Sequence, residues 1–138
     1  MAEPADTLLV EAKGLRRRFP QGEVLRGADL RVRRGELVAL TGRSGSGKST
    51  LLHLIGGLDR DYSGLLRCCG KELATLDDRA LSRYRNQEVG FVFQSFHLLE
   101  HLSCLENVLL PAAFSAAPLP QAEARAREAL DRVGLADR

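Results

Sequence analysis

One short stretch constrains the fold of this chain more than any other feature, and it reads Gly42-Arg43-Ser44-Gly45-Ser46-Gly47-Lys48-Ser49-Thr50. It matches the pattern G-x-x-x-x-G-K-[ST], whose glycines let the backbone turn so that successive N–H groups point into one concavity. Such a concavity lies at the N-terminus of a helix, where unpaired N–H groups and the helix dipole favour the binding of an anion. The stretch therefore predicts a phosphate-binding loop.

The residues on either side of the loop support this interpretation. The apolar run 36–41 precedes it and predicts a strand that is buried on both faces. Leu51, Leu52 and Ile55 follow it and predict a helix with one apolar face, ended by Gly56-Gly57. The alternative, a flexible Gly/Ser turn without a ligand, does not explain this strand–loop–helix context.

The loop pattern predicts a role for each of its residues. Lys48 is predicted to reach the β- and γ-phosphates, and the hydroxyl of Ser49 to ligate Mg²⁺. The other residues predicted to surround the nucleotide phosphates are Gly42, Ser44, Gly45, Ser46, Gly47 and Thr50.

Composition excludes several classes of protein. The 138 residues suit one domain, and the net charge of +2 gives no indication of a nucleic-acid partner. The basic clusters 16–18 and 31–34 are interpreted as solvated faces of turns and strands. No signal peptide or membrane span is predicted. Cys68, Cys69 and Cys104 have no metal or redox spacing and are interpreted as small, buried or half-buried residues of a cytosolic protein.

The remaining elements follow from periodicity and turn signals. Alternating apolar residues at 8–12 and 28–32 predict two half-solvated strands of an antiparallel sheet, with turns at Gln21-Gly22 and Arg34-Gly35. Asp77 or Asp78 is predicted to cap a helix, and 89–93 to form a second buried strand that ends at Gln94. Two further helices are predicted, one from Cys104 that ends at Pro111 and one at 121–133. The last of these should bury Ala122, Ala126, Leu130 and Val133.

Together these residues resemble the N-terminal part of an ABC-transporter ATP-binding domain. Beyond the phosphate loop, the resemblance rests on Gly57-Leu58-Asp59, on Val89-Gly90-Phe91-Val92-Phe93-Gln94 and on Leu105-Glu106-Asn107-Val108. The sequence from Phe91 to Leu99 is particularly similar to that of the lipoprotein-release and macrolide-export branch of the family. The implied fold is α/β, a P-loop NTPase of the ABC ATPase type, with an antiparallel β layer and a parallel core sheet.

The resemblance also implies functional residues and partners. Phe19 is expected to stack on adenine, and Gln94 to sense Mg²⁺ and the attacking water as a catalytic residue together with Lys48. ATP and Mg²⁺ are the implied cofactors. The implied partners are a transmembrane permease subunit and a second ATP-binding subunit, with the chain peripheral on the cytoplasmic face of the plasma membrane. The implied division is a tail at 1–7, a β layer and phosphate-loop core at 8–94, and an incomplete helical subdomain at 95–138.

The printed sequence departs from the family in one large respect. It contains no LSGGQ signature, Walker B aspartate, catalytic glutamate or switch histidine, all of which lie later in the family's domain. The 138-residue chain is therefore expected to bind ATP without turnover, and Val38 and Leu40 to face an unfilled sheet edge that favours aggregation. The complete domain is expected to hydrolyse ATP and couple it to export or lipoprotein release. Two alternatives remain, a non-transport ABC-type ATPase and a nucleotide-binding piece with no turnover.

Overall fold

A computed structural model describes residues 7–113 and 122–136. The chain forms two compact units, Met1–Glu88 and Val89–Arg138, and each is described by itself. Most of the expected N-terminal tail at 1–7 lies outside the described residues. The expected boundary after Gln94, between the phosphate-loop core and the helical subdomain, stays a prediction.

The first unit is built on a long β-hairpin. Strand β1 (Leu8–Phe19) pairs antiparallel with strand β2 (Gly22–Arg33), and a tight turn at 20–21 joins them. The pairing shifts register between Ala12 and Leu15, where Gly14 has a φ of 57°. The two half-solvated strands predicted from alternation are confirmed.

Two shorter strands complete an antiparallel sheet beside this hairpin. Strand β3 (Ser63–Cys68) pairs with β1, and β4 (Lys71–Glu72) pairs with β3, which gives the order β2-β1-β3-β4. Leu15 of β1 and Leu66 of β3 are fully buried, as is Leu54 of the helix described next. The core of this unit therefore lies on the face of the sheet that the helices cover.

Two α-helices and a short 3-10 helix (Leu73–Thr75) lie in the described part of the same unit. Helix α1 (Lys48–Ile55) follows the glycine-rich loop, and helix α2 (Asp78–Gln87) begins after Asp77, whose carboxylate accepts the Ala80 N–H at 2.7 Å. Asp77 is thus the cap, and Leu81 and Tyr84 of α2 are buried as predicted. The Tyr84 hydroxyl donates to the Ile55 carbonyl oxygen at 2.7 Å, which ties α2 to the end of α1.

The predicted parallel core sheet is absent from the part of the chain that the structure describes. Neither 36–41 nor 89–93 forms a strand, Leu37 and Val92 are fully exposed, and Val38 is 42% exposed. A strand is held by backbone hydrogen bonds to its neighbours, and the described residues supply no such ladder for either run. The prediction of two buried strands is therefore wrong for this chain. The sheet edge expected at Val38 and Leu40 is not observed either, since Val38 is exposed and Leu40 half-buried but neither lies in a strand.

The second unit contains helices α3 (Cys104–Ala113) and α4 (Ala122–Arg132), which contact each other. Helix α3 passes through Pro111 instead of ending there, because a proline removes the backbone bond to the Asn107 carbonyl and leaves those of the preceding turn in place. Ala126 and Leu130 of α4 are buried, as predicted, whereas Ala122 is only half-buried.

Two further predictions in this unit are wrong. Val133 is 68% exposed, because α4 ends at Arg132 and the chain turns at Gly134, whose φ is 74°. Cys104 is exposed, because it opens α3 at the helix surface. None of the helices in 7–113 and 122–136 combines the length and the apolar character needed to cross a membrane.

Candidate functional site: a phosphate-sized loop at the start of helix α1

The loop reaches its shape through glycines in left-handed conformations. Gly45 has a φ of 76° and Gly47 a φ of 91°, a region that is costly for residues with a Cβ. Gly47 is the N-cap of α1, and its carbonyl oxygen accepts the Leu51 N–H at 2.8 Å. The loop therefore turns directly into the helix, as the sequence predicts.

Gly47 also packs tightly against strand β2. A Cβ on Gly47 would lie 2.9 Å from Leu25 Cδ2 and 3.1 Å from Val24 Cγ1, closer than carbon atoms normally approach. Gly47 and Leu25 are both buried. The hairpin thus fixes the position of the loop, and glycine is required here for space as well as for φ.

Lys48 is held within the loop by oxygen atoms of the loop itself. Its Nζ donates to the carbonyl oxygens of Gly42 at 2.9 Å and Arg43 at 2.8 Å, and to Ser46 Oγ at 3.3 Å. All three N–H donors of an ammonium group have a partner in this arrangement. The positive charge is therefore placed at the loop and is not left on a freely moving side chain.

A cavity of about 290 Å³ adjoins this charge. The first turn of α1 contains no acidic residue and makes no side-chain cap, so the N–H groups and positive dipole end at that turn are not neutralised locally. The cavity is lined by Val24, Ser44, Gly45, Ser46, Gly47, Lys48, Ser49 and Thr50. Backbone donors, an ammonium group and hydroxyls at one cavity make a site for an anion with a bound cation.

The structure brings the loop residues together but does not place Phe19 in the cavity lining. Phe19 ends β1 and pairs with Gly22, while Val24 of the same hairpin lines the cavity. The guanidinium carbon of Arg17 lies 4.1 Å from the centroid of the Phe19 ring. The predicted base-stacking residue thus lies at the tip of the hairpin that supports the loop, and its role stays a prediction.

Sequence reasoning missed the contacts of Arg17. The Arg17 Nε donates to Asp59 Oδ2 at 2.7 Å, and Nη1 donates to Asp61 Oδ2 at 2.5 Å. Burial raises the pKa of the Asp59 carboxyl, but hydrogen bonds from the Asp61 N–H and from Arg17 outweigh it and hold that pKa below its usual value. Nothing local in the sequence distinguishes Arg17 from its arginine neighbours at 16 and 18.

Gln94 lies in the second unit, in a segment without regular secondary structure, and is exposed. The rings around it pack among themselves, since Phe91 and Phe93 stack with centroids 5.1 Å apart and Phe93 meets His97 edge-on at 4.9 Å. The predicted role of Gln94 at Mg²⁺ and the attacking water stays a prediction.

The start of α3 is fixed by side-chain hydrogen bonds. The Glu106 carboxylate accepts the Ser103 N–H at 2.8 Å and the Ser103 hydroxyl at 2.7 Å, and the Ser103 hydroxyl accepts the Glu106 N–H at 3.2 Å. These two Ser103 donors hold the pKa of Glu106 below its usual value. Asn107 accepts the Leu99 N–H and donates to the Leu99, Leu102 and Ser103 carbonyls, which ties the preceding turn to the helix.

The sequence and the fold of this chain are similar to those of known proteins. Residues 25–138 match the ABC transporter family. The chain is 46% identical over 136 residues to the macrolide export ATP-binding/permease proteins MacB of Escherichia coli K12 and Shigella flexneri. These alignments cover 96% of this chain and 21% of each relative, so the chain spans about a fifth of their length.

Solved structures give the same result. A dimeric, post-hydrolysis structure of the ATP-binding cassette MJ0796 bound to ADP and phosphate is similar, with a TM-score of 0.82 and 34% identity. The similarity covers 91% of this chain and 57% of that cassette. A second dimeric structure of MJ0796, described as a bacterial ABC transporter cassette, matches with a TM-score of 0.81 and 35% identity over 91% of this chain and 56% of that one. The chain therefore belongs to the ABC transporter family, in the N-terminal part of its ATP-binding domain, and is homologous to MacB.

Proposed function

We propose that this chain binds ATP with Mg²⁺ through the loop at 42–50 and serves as the ATP-binding part of an exporter. The observation that carries the proposal is the placement of the Lys48 ammonium group against the loop carbonyls, beside a cavity lined by the first residues of α1. When nucleotide binds, the ammonium group exchanges some of its carbonyl contacts for oxygens of the β- and γ-phosphates. The backbone N–H groups of the loop and of the first turn of α1 bind the remaining phosphate oxygens.

The loop also fits the expected cation. Mg²⁺ takes oxygen ligands and in nucleotide sites is held largely by phosphate and water, so one protein hydroxyl is a sufficient contribution from this part of the domain. Ser49 lines the cavity and would provide that hydroxyl. Within 7–113 and 122–136 no cluster of His, Cys, Asp or Glu forms a separate metal site. Mg²⁺ would neutralise charge on the phosphates, while Lys48 and the loop backbone orient them.

The proposed biological role is ATP-driven export or lipoprotein release through a membrane partner. Support comes from the homology to MacB, whose name describes a single macrolide export protein with an ATP-binding part and a permease part. In this role the chain lies on the cytoplasmic face of the membrane, contacts a permease and pairs with a second ATP-binding domain, as the MJ0796 cassette does in its dimeric structures. Gln94 relays the state of the nucleotide to the helical segment near Glu106. The homology to an exporter disfavours a non-transport ABC-type ATPase.

For the 138-residue chain itself, the proposal is ATP binding without turnover. Hydrolysis needs an acid to hold the metal and a group to position the attacking water, and the sequence contains no apolar strand that runs into an Asp-Glu pair. Phosphate release by the chain should therefore equal that of a Lys48→Ala variant. The complete domain hydrolyses ATP.

The test is calorimetric titration of the chain with ATP and Mg²⁺. Losing a charge-assisted contact costs about 1.5–3 kcal/mol, so Lys48→Ala should weaken ATP at least tenfold. The matched control is Lys13→Ala, because Lys13 is half exposed and pairs with Glu11 in the sheet. Phe19→Ala should cost less, about 1–2 kcal/mol. Equal ATP affinity in the wild-type chain and a folded Lys48→Ala variant would refute the proposed function.

A further inference from the structure

Arg17 is the most constrained cation at the tip of the hairpin. Its side chain is 11% exposed, and it pairs with two carboxylates, at 2.7 Å to Asp59 and 2.5 Å to Asp61. Its Nη1 also donates to the Arg18 carbonyl oxygen at 2.6 Å. The neighbouring Arg16, by contrast, is 56% exposed and pairs with Glu23 at 3.1 Å.

The carboxylates that hold Arg17 belong to the turn that closes helix α1. The Asp61 N–H donates to Asp59 Oδ1 at 2.9 Å, and the His53 carbonyl oxygen of α1 accepts the Leu58 N–H at 2.9 Å. Arg17 is therefore linked through Asp59 to the C-terminal end of the helix whose N-terminus carries the phosphate loop. The link joins two segments that are far apart in sequence.

The same guanidinium group covers one face of the Phe19 ring, with its carbon 4.1 Å from the ring centroid. A covered ring cannot rotate freely, and a second flat group can stack only on the opposite face. Arginine suits this position because its planar group can bind carboxylates at its edge and stack on an aromatic ring with its face. Lysine provides a point charge and cannot do both.

We propose that Arg17 is a positioning residue for the nucleotide base. It fixes the Phe19 ring so that adenine stacks on the face opposite Arg17, and it ties the ring to helix α1. This inference rests on the proposed function, in which ATP binds with its base on Phe19. Arg17 does not contact the phosphates in this scheme. It follows that Arg17 should affect ligands that carry a base and should not affect a bare triphosphate.

The experiment compares ATP with inorganic tripolyphosphate, both with Mg²⁺, by calorimetric titration of the chain. Arg17→Lys keeps the charge near Asp59 but loses the planar face. It should weaken ATP by about threefold to tenfold, the range of one stacked cation, and leave tripolyphosphate unchanged. The matched control is Arg16→Lys, which should change neither affinity.

Two further variants separate positioning from a general structural role. In a Phe19→Ala background, Arg17→Lys should cause no additional loss of ATP affinity, because the two residues act through one contact. Asp59→Asn, which weakens the anchor of Arg17 and keeps its shape, should reproduce the selective loss of ATP affinity in a smaller amount. It also provides the test if Arg17→Lys does not fold.

The outcomes are distinguishable. Equal losses for ATP and tripolyphosphate, or losses that add to that of Phe19→Ala, would overturn the role of Arg17 while leaving the proposed function intact. Unchanged ATP affinity in Arg17→Lys would do the same. A wild-type chain that binds neither ligand would instead overturn the proposed function and, with it, this inference.

Discussion

Replacing Gly47 by alanine tests the description of the phosphate loop most directly, because a second glycine in the same loop provides a matched control. Both Gly45 and Gly47 have left-handed φ values, 76° and 91°. A Cβ on Gly47 would lie 2.9 Å from Leu25 Cδ2, 3.1 Å from Val24 Cγ1 and 3.3 Å from the Val24 carbonyl oxygen. Among the described residues, and apart from its two chain neighbours, a Cβ on Gly45 would have no atom within 4 Å.

The expected magnitudes follow from these two environments. Alanine in a left-handed conformation costs about 1–2 kcal/mol, and this cost applies to both variants. Gly47→Ala adds a steric cost of about 1–3 kcal/mol, because Leu25 is only 6% exposed and has little room to withdraw. The gain from a stiffer unfolded chain is the same in both and cancels in the comparison. Gly47→Ala should therefore lower the free energy of unfolding by about 1–3 kcal/mol more than Gly45→Ala.

The assay is urea unfolding of the two variants, followed by circular dichroism, with the midpoint and slope compared with those of the wild-type chain. A slope that stays constant shows that stability, and not the unfolded state, has changed. The double variant Leu25→Ala/Gly47→Ala should lose less stability than the sum of the two single variants, because the smaller side chain relieves the contact. Equal losses for Gly45→Ala and Gly47→Ala would show that the loop does not pack on β2 as described.

Three further predictions concern other parts of the chain. Burial raises the pKa of the Cys68 thiol to about 11, so iodoacetamide at pH 8 should modify exposed Cys104 first and Cys68 only on unfolding, as mass spectrometry would show. Early alkylation of Cys68 would contradict its burial. Because the folded state holds the thiol proton more tightly than the unfolded state, the contribution of Cys68 to the free energy of unfolding should decrease as the pH rises from the usual pKa of 9.0 to about 11. Asp77→Ala should lower the free energy of unfolding by about 0.5–2 kcal/mol through loss of the cap on Ala80, measured by thermal melting, with Asp77→Asn retaining most of it. In a complete domain reconstituted with its permease, Gln94→Ala should reduce transport more than ATP binding, and an equal reduction would make Gln94 an ordinary ligand residue.

The sequence by itself was enough to predict several features whose cause is local, although it misplaced the ends of α3 and α4. The glycines of the loop, the start of α1, the cap at Asp77 and the alternation of β1 and β2 depend on backbone conformation and on neighbours a few residues away. The family resemblance was equally accessible, because it rests on short motifs in a fixed order, and the match to residues 25–138 confirms it.

Only the tertiary structure decided the features that depend on distant partners. The apolar runs at 36–41 and 89–93 have the composition of buried strands, yet neither is a strand, because a strand exists only where neighbouring strands accept its hydrogen bonds. Likewise, three successive arginines are equivalent in the sequence, and Arg17 differs from the others because Asp59 and Asp61 approach it from the turn after α1. Local chemistry therefore determined the phosphate loop, whereas long-range pairing determined the sheet and the surroundings of Phe19.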